Sequence, residues 1–424
     1  MLDRTIAPAA QKFQKFSLKR VQTHQIGKVP VHFLVSGSQP ILRIEFVFKA
    51  GTWYEDKSGL SYLTSKMLNE GTDSRSAKEI AEIIAEHGAF LEIHHGLDHV
   101  NITFYLLEKH FETLLPLFVD ILTRSIFPSL ELTNLKNVTN QNLKVNKEKG
   151  QFISSVEFRK ALFGITHPYG TQYWEQDVEN LRQEELTDFF KRYFALSNLE
   201  VFVAGQFDAD KLIGLLGKYL QTQDVPPVSF HKAPTYQPNY TPLVLERKDA
   251  MQSSIRLGCH CLSKKDPAYP YFAVLNELLG GFFGSRLMKN IREEKGYTYG
   301  IHSSIQSLKN ASYLVVATDV KRENAQHTID EVWKELDRLK KELVSKQELD
   351  TVKSYMLGKF MNSINTPFAL MDKFKNIHFH QLDYTYFDLY IEKVQNVAPE
   401  SLLELANSYF RKEQFCEVVV GGLS

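Results

Sequence analysis

A helix, a turn and a β-branched run occur twice in this chain at a constant offset of 216 residues, and that repetition limits the fold to a duplicated one. The first copy, YFALSNLEVFVAG, covers residues 193–205; the second, YFRKEQFCEVVVGG, starts at Tyr409. In each a Tyr-Phe pair closes a helix, and a glycine (Gly205, Gly421) follows the run. The helices before them agree too, with Leu186, Phe189, Phe190 and Tyr193 matching Leu402, Leu405 and Tyr409 at helical spacing. Between the copies, Pro226, Pro227, Pro234, Pro238 and Pro242 crowd into an otherwise proline-poor sequence, as in an extended linker. The expected division is a first domain over 1–222, a proline-rich linker over 223–245 and a second domain over 246–424, in keeping with a length beyond what one core organises.

Each half mixes both periodicities. Residues 31–49 and 98–107 alternate as strands, while 59–70 and 76–88 carry helical spacing. The second half repeats this with a strand in SSIRLGCHC, a helix over 269–280, strands in IHSSIQS and ASYLVVATDV, and a helix-rich span from 322 to 360. The fold class expected is α+β: two duplicated domains, each a largely antiparallel sheet packed by helices.

Charge and cysteine content narrow the function. Lys plus Arg equals Asp plus Glu at 50 each, which argues against a general nucleic-acid or membrane-surface binder. The segment MLDRTIAPAAQKFQKFSLKR has no secretory apolar run and no later stretch reaches spanning length, so a cytoplasmic location is expected. Three cysteines, 259, 261 and 416, cannot form a disulfide framework. Cys259 and Cys261 flank His260 in RLGCHCL, where they read as buried small residues on one strand face.

Two segments bear on chemistry. The first is AGTWYEDKSGLSYLTSKMLNEGT, residues 50–72, and the second GGFFGSRLMKNIREEKGYTYGIHSS, residues 280–304. Together they resemble the insulinase and pitrilysin family of peptidases, including its shorter members and the mitochondrial processing peptidase. In active members the first segment carries H-x-x-E-H, whose histidines bind zinc and whose glutamate activates water. The frame fits here through Gly59, Leu60, Leu63, Met67, Leu68, Gly71 and Thr72. The ligands do not: Tyr62 and Lys66 stand at the histidine positions and Ser65 at the glutamate. The third ligand of the family falls on Asn142, next to Gln141. Tyrosine and serine are poor zinc ligands at neutral pH and an ammonium repels the cation, so no metal is expected in this chain.

In the second segment, S-R-L-x-x-x-I-R-E-x-x-G-x-x-Y places Arg292 and Tyr299 where the family keeps two residues that bind the substrate carbonyl and help stabilise the oxyanion. On composition alone they read as a surface arginine and a half-buried strand tyrosine. Gly280, Gly281 and Gly284 suit a loop that a peptide approaches, or a plain turn.

The resemblance implies two halves enclosing a peptide cleft. It also implies a dimer in which this chain is the non-catalytic, substrate-binding subunit of a zinc endopeptidase, inactive alone. An H-x-x-E-H partner of the same family would hold the zinc. The rival is a peptidase-derived scaffold or peptide-binding protein without proteolysis. A third reading, a separate metal site among His94, His95, Asp98 and His99, has no recognised spacing; relatives have there the edge strand beside the cleft, and the resemblance implies that residues 90–94 pair with peptide as that strand does. Lys66 is expected to form an ion pair in place of the metal charge.

Overall fold

The computed structural model describes residues 18–220 and 236–423; Pro226, Pro227 and Pro234 of the expected linker lie outside them. The first half builds a six-stranded sheet from β1 (Gln22–Ile26), β2 (Val29–Val35), β3 (Ile41–Phe48), β4 (Phe90–His95), β5 (Val100–Leu107) and β6 (Leu199–Gly205). The second builds a five-stranded sheet from β7 (Leu243–Glu246), β8 (Gln252–His260), β9 (Ile301–Ser307), β10 (Ser312–Lys321) and β11 (Cys416–Gly421). Their orders are β1-β2-β6-β3-β5-β4 and β7-β11-β8-β10-β9. All pairs are antiparallel except β2 with β6 and β7 with β11. In both sheets the last strand of the half sits between one parallel and one antiparallel neighbour.

The repeated glycines end these central strands for one physical reason. Gly205 and Gly421 have φ of 137° and 132°. A Cβ would lie 2.1 Å from the Ile41 carbonyl oxygen at the first and 2.5 Å from that of Gln252 at the second. Only glycine tolerates both the angle and the approach.

Helices follow in the order α1 (Leu60–Lys66), α2 (Ala77–Glu86), α3 (Phe111–Thr123), α4 (Ser129–Glu148), α5 (Gly150–Phe163), α6 (Glu175–Asn180), α7 (Gln183–Tyr193) and α8 (Ala209–Tyr219). The second half has α9 (Tyr269–Asn276), α10 (Ala325–Lys341), α11 (Lys346–Asn362), α12 (Pro367–Phe379), α13 (Thr385–Asn396) and α14 (Pro399–Tyr409). Local signals explain their starts: Ser76 and Glu79 form a capping box at α2, and Thr366 caps α12 ahead of Pro367. The helix expected over 269–280 changes pitch, continuing from α9 as a π-helical turn at Glu277–Gly281.

The halves exchange helices. Shifted by 216 residues, α5 falls on α12, and each packs on the other half's sheet: α5 on β8 and β11, α12 on β2 and β6. Tyr313, Cys416, Val418 and Val420 of the second half accordingly join the first half's core, while Met371 of α12 is buried against Leu34, Val47, Phe202 and Ala204. Polar contacts cross as well. Arg43 donates to both oxygens of Asp372 at 3.1 and 2.7 Å, and Lys375 reaches Glu45. Among the described residues, no helix is long and apolar enough to cross a membrane.

Cys259 and Cys416 are buried and Cys261 is half-buried, all as free thiols. Burial raises all three thiol pKa values, Cys416 to about 12, so they are inert packing residues.

Candidate functional site

Helix α1 begins at Gly59, whose φ of 86° and contact with the Tyr173 ring exclude a side chain. The Glu55 carboxylate accepts from the Gly59 and Ser61 amides at 3.2 and 2.9 Å, tying down the first turn. Tyr62, Ser65 and Lys66 then share one face at helical spacing. Each is already committed inside the chain. The Tyr62 ring stacks on Tyr173 at 5.0 Å and meets the edge of His95 at 5.7 Å. Ser65 turns back and donates to the Tyr62 carbonyl at 2.7 Å. Lys66 donates to the Ile93 carbonyl at 2.7 Å, and burial lowers its pKa. The expected ion pair is therefore replaced by a bond to backbone, because the edge strand rather than a carboxylate lies within reach of the ammonium.

That carbonyl is significant. β4 is an edge strand, as expected. The Gly96 amide bonds the His99 carbonyl in the turn after it, so strand alternation from that pair leaves Ile93, opposite Ile102, with its backbone groups facing the free edge. Lys66 thus occupies an acceptor that an added peptide strand would need.

The remaining first-half candidates do not converge. Asn142 and Gln141 are exposed on α4. His95 Nε2 bonds Ser61 Oγ at 2.9 Å; since Ser61 donates to the Ala50 carbonyl, His95 is the donor. Burial, then the charges of His94 and Lys66, push His95 down to about 4. Asp98 accepts from Tyr169 Oη at 2.6 Å and the Lys309 amide at 3.1 Å, and His99 stacks on Phe379 at 4.2 Å. The face of α1 presents no set of donors that fits zinc: an ammonium, a phenol packed between rings and a hydroxyl turned to backbone.

The second-half segment is built in the opposite way. Its helix widens into a π-helical stretch at Met288–Glu294, a geometry frequent at functional sites. The stretch is anchored on its inner side. Arg286 makes a bidentate bond to Glu348 at 2.8 and 2.9 Å, and the Asn290 amide donates to Glu331 and the buried Glu335, both at 2.8 Å. Ile291 is fully buried. On the outer side Arg292 is half-buried, its guanidinium 4.7 Å over the Phe283 ring, a cation–π contact. Thr298 donates to the Asp319 carbonyl at 2.8 Å and fixes the loop, yet Tyr299 next to it is 94% exposed. Tyr299 borders a cavity of about 830 Å³ shared with Gln151, Arg247, Thr298 and Asp319.

Among the described residues, no hydrogen bond or ion pair joins Arg292 or Tyr299 to the α1 face. Sequence reading did not find Phe283, the ring under Arg292, which is 62% exposed; the Phe pair within the glycine-rich stretch 280–284 was the available signal.

Comparison with known proteins follows the same two segments. The family model described as insulinase (peptidase family M16) matches residues 34–166, and that described as the peptidase M16 inactive domain matches 180–356. An uncharacterized zinc protease, YmxG of Bacillus subtilis (strain 168), is 24% identical over 324 residues, covering 74% of this chain and 77% of the relative. The non-peptidase homolog YmxG of Helicobacter pylori is 24% identical over 350 residues, 79% of each chain. The crystal structure of a peptidase M16 inactive domain from Pseudomonas fluorescens shares the fold, with a TM-score of 0.87 at 22% identity over 95% of this chain and 98% of that one.

Proposed function

Since this chain belongs to the insulinase family of peptidases, peptidase family M16, we propose that it is the non-catalytic, substrate-binding subunit of a heteromeric zinc endopeptidase for peptides or unfolded segments. The observation that carries this reading is the exposure of Tyr299 on a loop that is otherwise pinned. A phenol held out from a rigid base, following a half-buried arginine set on an anchored π-helical stretch, is a pair of donors arranged for something outside the chain. Arg292 and Tyr299 hold the substrate carbonyl and stabilise the oxyanion as charge develops there. Zinc and the general base belong to an H-x-x-E-H partner of the same family, in a dimer. The three free cysteines suit a reducing compartment such as the cytoplasm.

Reconstitution tests this. The chain alone should neither retain zinc nor cleave peptide, and it should raise the turnover of an H-x-x-E-H partner. Arg292→Ala should remove that gain. An Arg292→Ala complex with full turnover would end the assignment.

A second reading, a peptidase-derived scaffold, is favoured by the bond from Lys66 to the Ile93 carbonyl, which occupies the peptide-accepting edge. Peptide binding unchanged in the Arg292→Ala, Tyr299→Phe double variant, with no peptidase partner co-purifying, would select it.

A further inference from the structure

The crossing of α12 over the first sheet brings together side chains that no motif connects. His32 on β2, Glu200 on β6 and His378 on α12 each present one ligand atom, all within 4.8 Å of one another. His378 Nε2 lies 2.6 Å from Glu200 Oε2, and His32 Nε2 lies 3.7 Å from the same oxygen. We infer that these three residues form a divalent transition-metal site of the zinc class, which clasps the second half to the sheet of the first.

Several features mark the cluster as a built site. His32 is 3% exposed, and its Nε2, aimed at the cluster, has no hydrogen-bond partner. A buried polar atom left so is costly, and a metal bond satisfies it. The other nitrogen, Nδ1, is 2.9 Å from Thr23 Oγ1. With Nδ1–H donating to that hydroxyl, the lone pair of Nε2 faces the cluster, the orientation that metal-bound imidazoles take. Glu200 divides its oxygens: Oε2 faces the two imidazoles, while Oε1 lies 3.4 Å from Lys49 Nζ, which balances the carboxylate without entering the ligand set. Two imidazoles and one carboxylate with a position left open suit a zinc-like ion.

The surroundings exclude most water yet leave an entry. Phe202 stacks on His32 at 4.7 Å, and Phe374 lies 5.2 Å from it. The side chain of His378 is 33% exposed, so an ion enters from the α12 side. Under the 216-residue repeat, Glu200 and His378 correspond to Cys416 and Leu162. Only one of the two pseudo-equivalent crossings carries these ligands, so the internal symmetry of the fold does not require them.

The site is separate from the α1 face and does not rest on any role in proteolysis. The test uses the full chain, freed of metal by chelator and titrated with Co2+ as an optical probe. One equivalent should bind with visible bands of a low-coordinate nitrogen–oxygen site and be displaced by Zn2+, and Zn2+ should raise the melting temperature. His378→Asn, at a partly exposed position, should melt like the wild type in chelator but lose both the bands and the zinc-dependent shift. Thr23→Val should keep the site and weaken it about 10–100-fold. A wild-type chain with neither Co2+ bands nor a zinc-dependent shift would overturn the inference. So would a His378→Asn chain that binds as the wild type does.

Discussion

The faces offered by the two halves differ in where their polar groups are spent. On α1, Tyr62, Ser65 and Lys66 are consumed by ring stacking and backbone carbonyls of the same chain. In the second half Arg286, Asn290 and Thr298 spend their polar groups on anchoring, whereas Arg292 lies half-buried over the Phe283 ring and Tyr299 is exposed. The contrast teaches that the polar side chains of the α1 face each have a partner within the chain. The α1 face is a structural element, whereas the opposite segment presents a surface that packing does not require.

If that contrast is right, changes at the two faces separate into different measurements. The largest effect is expected at Arg292: in a reconstituted complex, Arg292→Ala should lower kcat by about 100- to 1,000-fold, the range for removing an oxyanion donor. Its melting temperature should stay within a degree or two of the wild type. A large fall in stability would instead make Arg292 structural and erase the distinction.

Next comes the pH dependence of the α1 face. His95 titrates near 4 in the folded chain, against about 6.5 when unfolded. Below 6.5 the unfolded chain binds more protons, so the stability present above that pH is lost as pH falls toward 4. Denaturant unfolding at pH 7.5 and 4.5 should show this, and His95→Asn should shrink the difference by about 2 kcal/mol. His99 and His167, pushed down to about 3 and 4, add losses of the same sign. An unchanged pH profile in His95→Asn would mean that this imidazole is not held neutral by the α1 face.

The smallest effect on function is expected for Lys66→Met. It removes one bond to the Ile93 carbonyl at an edge that water reaches, so the cost should stay under about 1 kcal/mol by denaturant unfolding. Peptide affinity, measured by fluorescence anisotropy, should rise as the edge of β4 is freed. A fall in peptide affinity would show Lys66 to be a binding residue instead of a cover.

Much of this was legible in the sequence because the signals are local or exactly repeated in spacing. Helical and strand periods place both layers, and Gly205 with Gly421 mark the ends of equivalent strands. That Tyr62, Ser65 and Lys66 stand where the family has its H-x-x-E-H residues follows from the resemblance of the frame around them. What Lys66 does instead does not follow, because Ile93 contributes a backbone carbonyl and a carbonyl has no residue code. The π-helical stretch at Met288–Glu294 was hidden for a related reason: one extra residue in a turn leaves the apolar pattern nearly intact. His32 and His378 lie at opposite ends of the chain and share no motif; only the passage of α12 over the first sheet unites them.

That passage also governs how the molecule reaches its shape. Each sheet is finished by a helix encoded with the other, so contacts such as Arg43 with Asp372 close loops of more than 300 residues. Such distant contacts make folding slow and place the last docking step after both copies exist. Duplication therefore did not yield two beads on a string. Each half, produced alone, is expected to dimerise or to expose the apolar floor around Leu34, Val47 and Phe202, which size-exclusion chromatography and dye binding would register.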